Sequence, residues 1–282
     1  MDNRGNESIG SVAELWRYPV KSMMGERLSA AELSRSGVRG DREFAIRDLS
    51  TGKIASAKNP KKWPNLFDFH ASLITPSGEN HGTPQVRITL PDGKLMTSQQ
   101  PDSGKVLSEA LKRAVRLEAI ENDLGDADDD QSRTEEYWPD LDGLDFKNTT
   151  TEFALPRGTF FDSAYLHLLT TATLDRLQEL YPEGRFDVQR FRPNIVIRLS
   201  SGERDFVESA WIGRLLHIGE QVRVRIERPC GRCVMTTLPQ GDLPQDLGIL
   251  RAAAQANHAH VGVYGSVLSG GSIYPRDVVH LE

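Results

Sequence analysis

The sequence holds only two cysteines in 282 residues, Cys230 and Cys233. That excludes the disulfide framework of a small secreted domain. In a reducing compartment, cysteines this close together point to metal or redox chemistry. No stretch approaches the ~20 consecutive apolar residues of a membrane-spanning helix. The N-terminus, Met-Asp-Asn-Arg-Gly-Asn-Glu-Ser, has no basic start followed by an apolar run. Neither a membrane span nor a signal peptide is therefore expected, and a cytoplasmic location is. An excess of basic charge is also missing: the formal net charge of -6 argues against a general nucleic-acid binder while leaving room for a local basic pocket. There is no Walker loop, dinucleotide fingerprint, His-Glu-x-x-His, Gly-x-Ser-x-Gly, internal repeat or low-complexity tract.

What is present is an ordinary globular composition, 38% hydrophobic and 26% charged, long enough for one large or two medium domains. Residues 1–10 are polar and expected to be unordered. Strands are expected over Val12–Tyr18, Arg42–Arg47, Gln85–Leu90, Asn194–Arg198, Gln221–Glu227 and Val261–Leu268. In Gln221–Glu227 the alternation is clean, with Val222, Val224 and Ile226 on one face and Arg223 and Arg225 on the other. Helical periodicity predicts helices over Lys105–Ala114, Thr171–Leu180 and Asp246–Asn257. Many short strands with few helices give a mainly β fold with some helices (α+β), barrel-like rather than a parallel α/β sheet. The stretch 121–136 is acidic and poor in apolar residues. It reads as a solvated linker or loop between a domain over 11–120 and one over 137–282; the spacing, Gly and Glu of a Ca²⁺ loop are missing.

Three clusters could carry chemistry. Cys230-Gly231-Arg232-Cys233 follows the alternating strand, and Pro229 and Gly231 suit a turn. A zinc site would need four ligands; His258 and His260 could complete a set, but their spacing is not that of a zinc finger. A thioredoxin-like dithiol would need a helix N-terminus in a βαβ unit. A single thiolate could instead ligate a cofactor metal, its pKa lowered by a cation such as Arg232, or the cysteines could be two ordinary buried residues. Arg190-Phe191-Arg192-Pro193-Asn194, at a strand entrance, suits an anion such as phosphate, with surface salt bridges as the plainer alternative. Tyr18-Pro19-Val20-Lys21-Ser22 could grip phosphate, and Gly40-Asp41-Arg42 suits a turn that presents an arginine. His167 lies in an apolar run and reads as a satisfied core residue.

Taken together, these segments resemble the MOSC family, named for the molybdenum cofactor sulfurase C-terminal domain. The matching elements are Leu15–Ser22, Gly40-Asp41-Arg42, Phe191–Ile197, Cys230–Cys233 with Thr236-Thr237, and Gly262-Val263-Tyr264, in that order across residues 11–282. The likeness is to the two-domain branch of the amidoxime-reducing components, in which a β-rich N-terminal domain precedes the MOSC β-barrel. The resemblance implies a molybdenum–molybdopterin cofactor with Cys233 as the metal ligand and catalytic centre. It implies that Lys21, Ser22, Arg42, Ser163, Arg190, Arg192, Asn194, Gly231, Arg232 and Tyr264 bind the cofactor. It further implies an oxidoreductase acting on N-oxygenated small molecules. With no cysteines for an iron–sulfur cluster, its electrons would come from a separate protein, and no nucleic acid or membrane is involved. A sulfur carrier with a Cys233 persulfide, or a non-catalytic cofactor carrier, would use the same cysteine.

Overall fold

The computed structural model describes residues 7–74, 84–120, 132–141 and 147–282. Seven strands close a barrel: β1 (Glu7–Arg17), β2 (Leu166–Thr170), β3 (Ile195–Leu199), β4 (Leu215–Ile218), β5 (Val222–Gly231), β6 (His260–Ser269) and β7 (Val278–Leu281). Their circuit runs β1–β3–β2–β6–β5–β4–β7 and back to β1. The alternation in β5 puts Val222, Val224 and Ile226 in the barrel core with Leu168, Ile197 and Leu216, and leaves Arg223 and Arg225 exposed. Only β2 and β3 pair in parallel, which demands a crossover. Helix α2 (Thr171–Leu180), which follows α1 (Ser103–Leu111) in the chain, supplies it.

Two expectations are corrected here. Residues 7–10 are not an unordered tail. They open β1, and β1 pairs with β3 and β7 and so takes part in the seven-stranded barrel. Within the acidic stretch, residues 121–131 lie outside the described residues, but Arg133–Trp138 is a strand paired with Thr149–Ala154. Its charges are matched rather than solvated: Lys53 lies 2.8 Å from Glu135, and Arg133 pairs with Glu152.

A second β unit packs beside the barrel. It holds the pair Phe44–Asp48 with Val115–Ala119, a three-stranded sheet of His70–Ile74, Gln85–Thr89 and Leu95–Thr97, and helix α1. Its core includes Val20, Met23, Ile46, Phe69, Ile88 and Leu107. The barrel reaches into this core. After β5 the chain makes a 3₁₀ turn, Val234–Thr237, and Val234, Met235 and Leu238 are buried among the second unit's apolar residues. Each such side chain contributes roughly 2 kcal/mol, so the segment after Cys233 is pinned between the two units.

Helix α2 starts on a buried acid. Thr170 caps it by accepting from the Thr173 amide at 3.1 Å, and the hydroxyls of Thr170 and Thr173 lie 2.7–2.8 Å from the Glu208 carboxyl. Burial outweighs these hydrogen bonds and holds the Glu208 carboxyl above the ordinary range. The folded state then binds a proton that the unfolded state releases, so this group costs stability increasingly as pH rises above the ordinary carboxyl range. Glu208→Gln should remove that slope. In urea melts from pH 4 to 8, its stability relative to wild type should climb with pH; a flat difference would show that Glu208 is not protonated in the fold.

Candidate functional site

The pocket forms where the ends of β1, β3 and β5 meet the second unit. Beyond β1, Pro19 stops the strand, Val20 bridges to Phe44, and the Lys21 amide donates to the Phe44 carbonyl at 2.8 Å. The turn Gly40-Asp41-Arg42 docks beneath, its Arg42 amide donating to the Tyr18 carbonyl. Helix α3 (Val188–Phe191) ends at Arg192 in the left-handed conformation, φ 55°, and delivers Asn194 to β3. Ser22 (φ 63°) and Arg42 (φ 52°) share that conformation. Left-handed backbone costs a non-glycine residue about 1 kcal/mol. Three such residues, all lining one pocket, mark a site where side-chain direction is over-determined.

The pocket is lined by Lys21, Ser22, Arg42, Ser163, Arg192, Asn194, Gly231, Arg232, Cys233 and Tyr264 among others. Ten of the eleven residues expected from sequence are thus together. The exception is Arg190. Its guanidinium is turned away and donates to the carbonyls of Arg185, Thr236, Leu238 and Pro244 at 2.8–3.2 Å. Arg190 braces the segment that follows Cys233 and lies outside the lining. Asn194 faces the pocket, but its side chain is spent on Asp41 (2.9 Å), the Trp16 carbonyl and the His167 amide. Ser163 is held at the mouth by Arg228, 2.6 Å from its hydroxyl.

Sequence reasoning missed Lys58, Asp162 and His167 as lining residues. Lys58 is half-buried and sits 3.4 Å from both Glu136 and Asp162. Burial disfavours its charge, but Asp162, then Cys233 and Glu136, outweigh that and keep it protonated. Asp162 also takes the ammonium of Lys21, and its carboxyl stays well below the usual range because Lys21 and Lys58 overcome its burial. No local pattern announces Lys58 or Asp162; each matters only through where the fold sets it.

The pocket's cations differ in how they are balanced. Lys21 and Lys58 share Asp162, and Arg42 pairs with the fully buried Asp41. Arg192 has no carboxylate within ion-pair distance among the described residues. It packs 4.1 Å over the Tyr18 ring and donates one hydrogen bond, 2.8 Å, to the Met23 carbonyl. Burial, helped by neighbouring Arg42, lowers its guanidinium to about 10, which still leaves it charged at neutral pH.

The two thiols are free and unequal. Cys233 is 9% exposed and opens on the pocket; Cys230 is 0% exposed. The expectation that Arg232 activates the ligating thiol is corrected: its Nη1 lies 2.8 Å from Cys230 Sγ. For Cys230, burial raises the thiol, but Arg232 and then His167 outweigh it and bring it down to about 6. For Cys233, burial dominates over the relief offered by Lys58 and pushes the thiol up to about 12. Among the described residues no three His, Cys, Asp or Glu side chains cluster as metal ligands, so nothing supports the Cys/His zinc set. Among them, too, no helix is long and apolar enough to cross a membrane.

His167 is buried and hydrogen-bonded, as expected of a satisfied core residue, and it also lines the pocket. Its Nε2 lies 3.2 Å from the Val261 carbonyl, and its ring stands 5.9 Å from that of Tyr264. Gly262, φ +81°, makes room for it: a Cβ there would sit 2.3 Å from His167 Nε2 and 2.5 Å from the Leu168 carbonyl. Gly262→Ala should therefore cost about 2 kcal/mol or more in urea unfolding, from backbone strain plus overpacking. A cost within error of zero would contradict this packing.

Residues 9–130 match the MOSC N-terminal beta barrel domain and residues 156–280 the MOSC domain. The chain belongs to the MOSC family in its two-domain form. It is similar to the human protein named mitochondrial amidoxime reducing component 2, with 27% identity over 300 residues covering 97% of this chain and 84% of that one. It is similar also to the molybdenum cofactor sulfurase of Drosophila grimshawi, at 25% identity over 95% of this chain but only 33% of that protein. Among solved structures, the YUAD protein from Bacillus subtilis aligns with a TM-score of 0.46 at 11% identity, covering 96% of this chain and 94% of that one.

Proposed function

We propose that this pocket binds a molybdenum–pterin cofactor through the Cys233 thiolate, and that the protein is an oxidoreductase reducing N-oxygenated substrates. The observation that carries the proposal is Arg192. A guanidinium buried without a carboxylate is costly, and an anionic ligand such as a pterin phosphate would supply the missing counter-charge. The rest of the donor set fits the same group. Lys21, Ser22 and Arg42 lie on the same wall, the buried Nε of Arg232 has no hydrogen-bond partner, and one thiol alone opens on the space. A soft thiolate suits a metal already held by dithiolene sulfur.

When bound, such a cofactor supplies two-electron oxygen-transfer chemistry, which is its own rather than the protein's. The chain's residues do the rest. Arg192, Arg42 and Arg232 hold the anion, and Cys233 offers the ligand. Phe160 and Phe161 wall off water, while Asp162 keeps Lys21 and Lys58 in place. Electrons would come from a separate donor protein. The names of the amidoxime-reducing relatives support the substrate class. The sulfur-carrier reading fits the geometry less well, because a persulfide carrier needs a thiolate that an acceptor can reach. Cys233 is nearly buried.

The test is anaerobic turnover of an N-hydroxylated amidine by protein expressed in cells that make the molybdenum cofactor, with reduced methyl viologen as artificial donor. Formation of the amidine supports the reductase. No turnover by molybdenum-loaded protein would contradict it, and a persulfide in the intact mass would turn the assignment to sulfur transfer.

A further inference from the structure

The other cysteine of the pair has no part in the function proposed above, yet its sulfur is fully enclosed. Cys230 lies one residue before the end of β5 with no exposed surface, so no ligand in the pocket reaches it. Arg232 faces it, and that guanidinium is fastened at both ends: Nη1 to Cys230 Sγ and Nη2 to the Phe191 carbonyl, each at 2.8 Å. The third donor, Nε, is buried with no partner. Arg232 also lines the pocket beside Cys233. A flexible arginine fixed at two points keeps one direction, and a donor left over in a buried place is expensive unless something accepts from it.

We propose that Cys230 is a positioning residue, whose buried sulfur fastens Arg232 so that the guanidinium is held ready for an anionic oxygen of the ligand beside Cys233. The two cysteines then divide the work: one opens on the pocket, the other aims a cation. The second anchor point extends the effect, because Phe191 directly precedes Arg192 in the chain. One tether thus joins the end of β5 to the end of α3 and sets two of the pocket's arginines relative to each other. The thiol lowered to about 6 agrees with this arrangement, since a charged acceptor roughly doubles the strength of such a hydrogen bond. The inference rests on the anion-holding pocket proposed above.

The test uses the full chain without cofactor and inorganic pyrophosphate as the anionic probe, with titration calorimetry on wild type, Cys230→Ala, Cys230→Ser and Arg232→Lys. Cys230→Ala should bind pyrophosphate roughly tenfold more weakly. Cys230→Ser, whose hydroxyl still accepts a hydrogen bond, should recover part of the loss at an unchanged melting temperature. The ¹⁵Nε–H resonance of Arg232, assigned by its absence in Arg232→Lys, should move in Cys230→Ala without any ligand; a merely structural role would leave it in place. Wild-type affinity together with an unmoved resonance in Cys230→Ala overturns the proposal. A wild-type protein that ignores pyrophosphate while the resonance still moves would overturn the anionic-pocket reading and leave Cys230 as an anchor of Arg232 alone.

Discussion

Cys233→Ala is expected to fold like wild type, to bind no more than traces of molybdenum, and to lose turnover of N-hydroxylated substrate by well over the roughly 100-fold that loss of an outer-sphere partner can cost. The side chain is small, and the alanine keeps its Cβ, so the change in packing costs only about 1 kcal/mol. The neighbouring segment is held independently: the Cys233 carbonyl accepts from Thr236, and Arg190 grips the carbonyls of Thr236 and Leu238. No other lining residue offers a thiolate: the Met235 thioether is neutral and packed into the second unit's core, and Cys230 is closed off by its own burial. Cys230→Ala should be milder, weakening the pocket's hold on an anion without removing the metal ligand. Urea melts, metal analysis and single-substrate kinetics on both variants check this. Equal losses in the two, or normal turnover in Cys233→Ala, would remove Cys233 from its role.

The second large effect concerns Arg192. With Arg192→Met, affinity for pyrophosphate should fall about 100-fold, the worth of one charged hydrogen bond at the upper end of its range, while stability without ligand should change by no more than about 1 kcal/mol. The balance explains the asymmetry. Desolvating the guanidinium costs several kcal/mol. The Tyr18 ring returns about 2 kcal/mol, and the hydrogen bond to the Met23 carbonyl returns a similar amount. Removing all three nearly cancels, and the one stranded acceptor, the Met23 carbonyl, leaves a residual cost of about 1 kcal/mol. Arg190 behaves oppositely, because four hydrogen bonds from its guanidinium satisfy buried carbonyls. Arg190→Met should cost several kcal/mol by stranding those acceptors and should disturb anion binding only through lost stability. Calorimetry with pyrophosphate and urea melts on the pair would separate an arginine kept for a ligand from one kept for the fold. A large stability loss in Arg192→Met with unchanged affinity would reverse the two assignments.

The contrast between these arginines shows what the sequence could and could not reveal. Both stand beside a buried strand, and both look expensive to bury. The chain pattern carries no sign that one is answered by backbone carbonyls and the other is not. Elements with strong local signals were legible: the alternation of β5, the helix Thr171–Leu180, and the turn that presents Arg42. The strand Arg133–Trp138 was hidden because its charges look solvated until Lys53 and Glu152 are placed opposite them. Lys58 and Asp162 were illegible for a related reason. Their meaning lies in the meeting of residues 21, 58 and 162, which only the packing of the two β units creates. The cysteine pair was legible as a site, but which thiol Arg232 faces was not, since both lie within three positions of it.

A pocket that holds a metal cofactor on Cys233 should be filled when the cell supplies that cofactor. The measurement is elemental and pterin analysis of the wild-type protein, purified from cells competent to make the molybdenum cofactor. Near one molybdenum and one pterin per chain is the expected result. Stoichiometric zinc, or protein free of both metal and pterin from such cells, would contradict it.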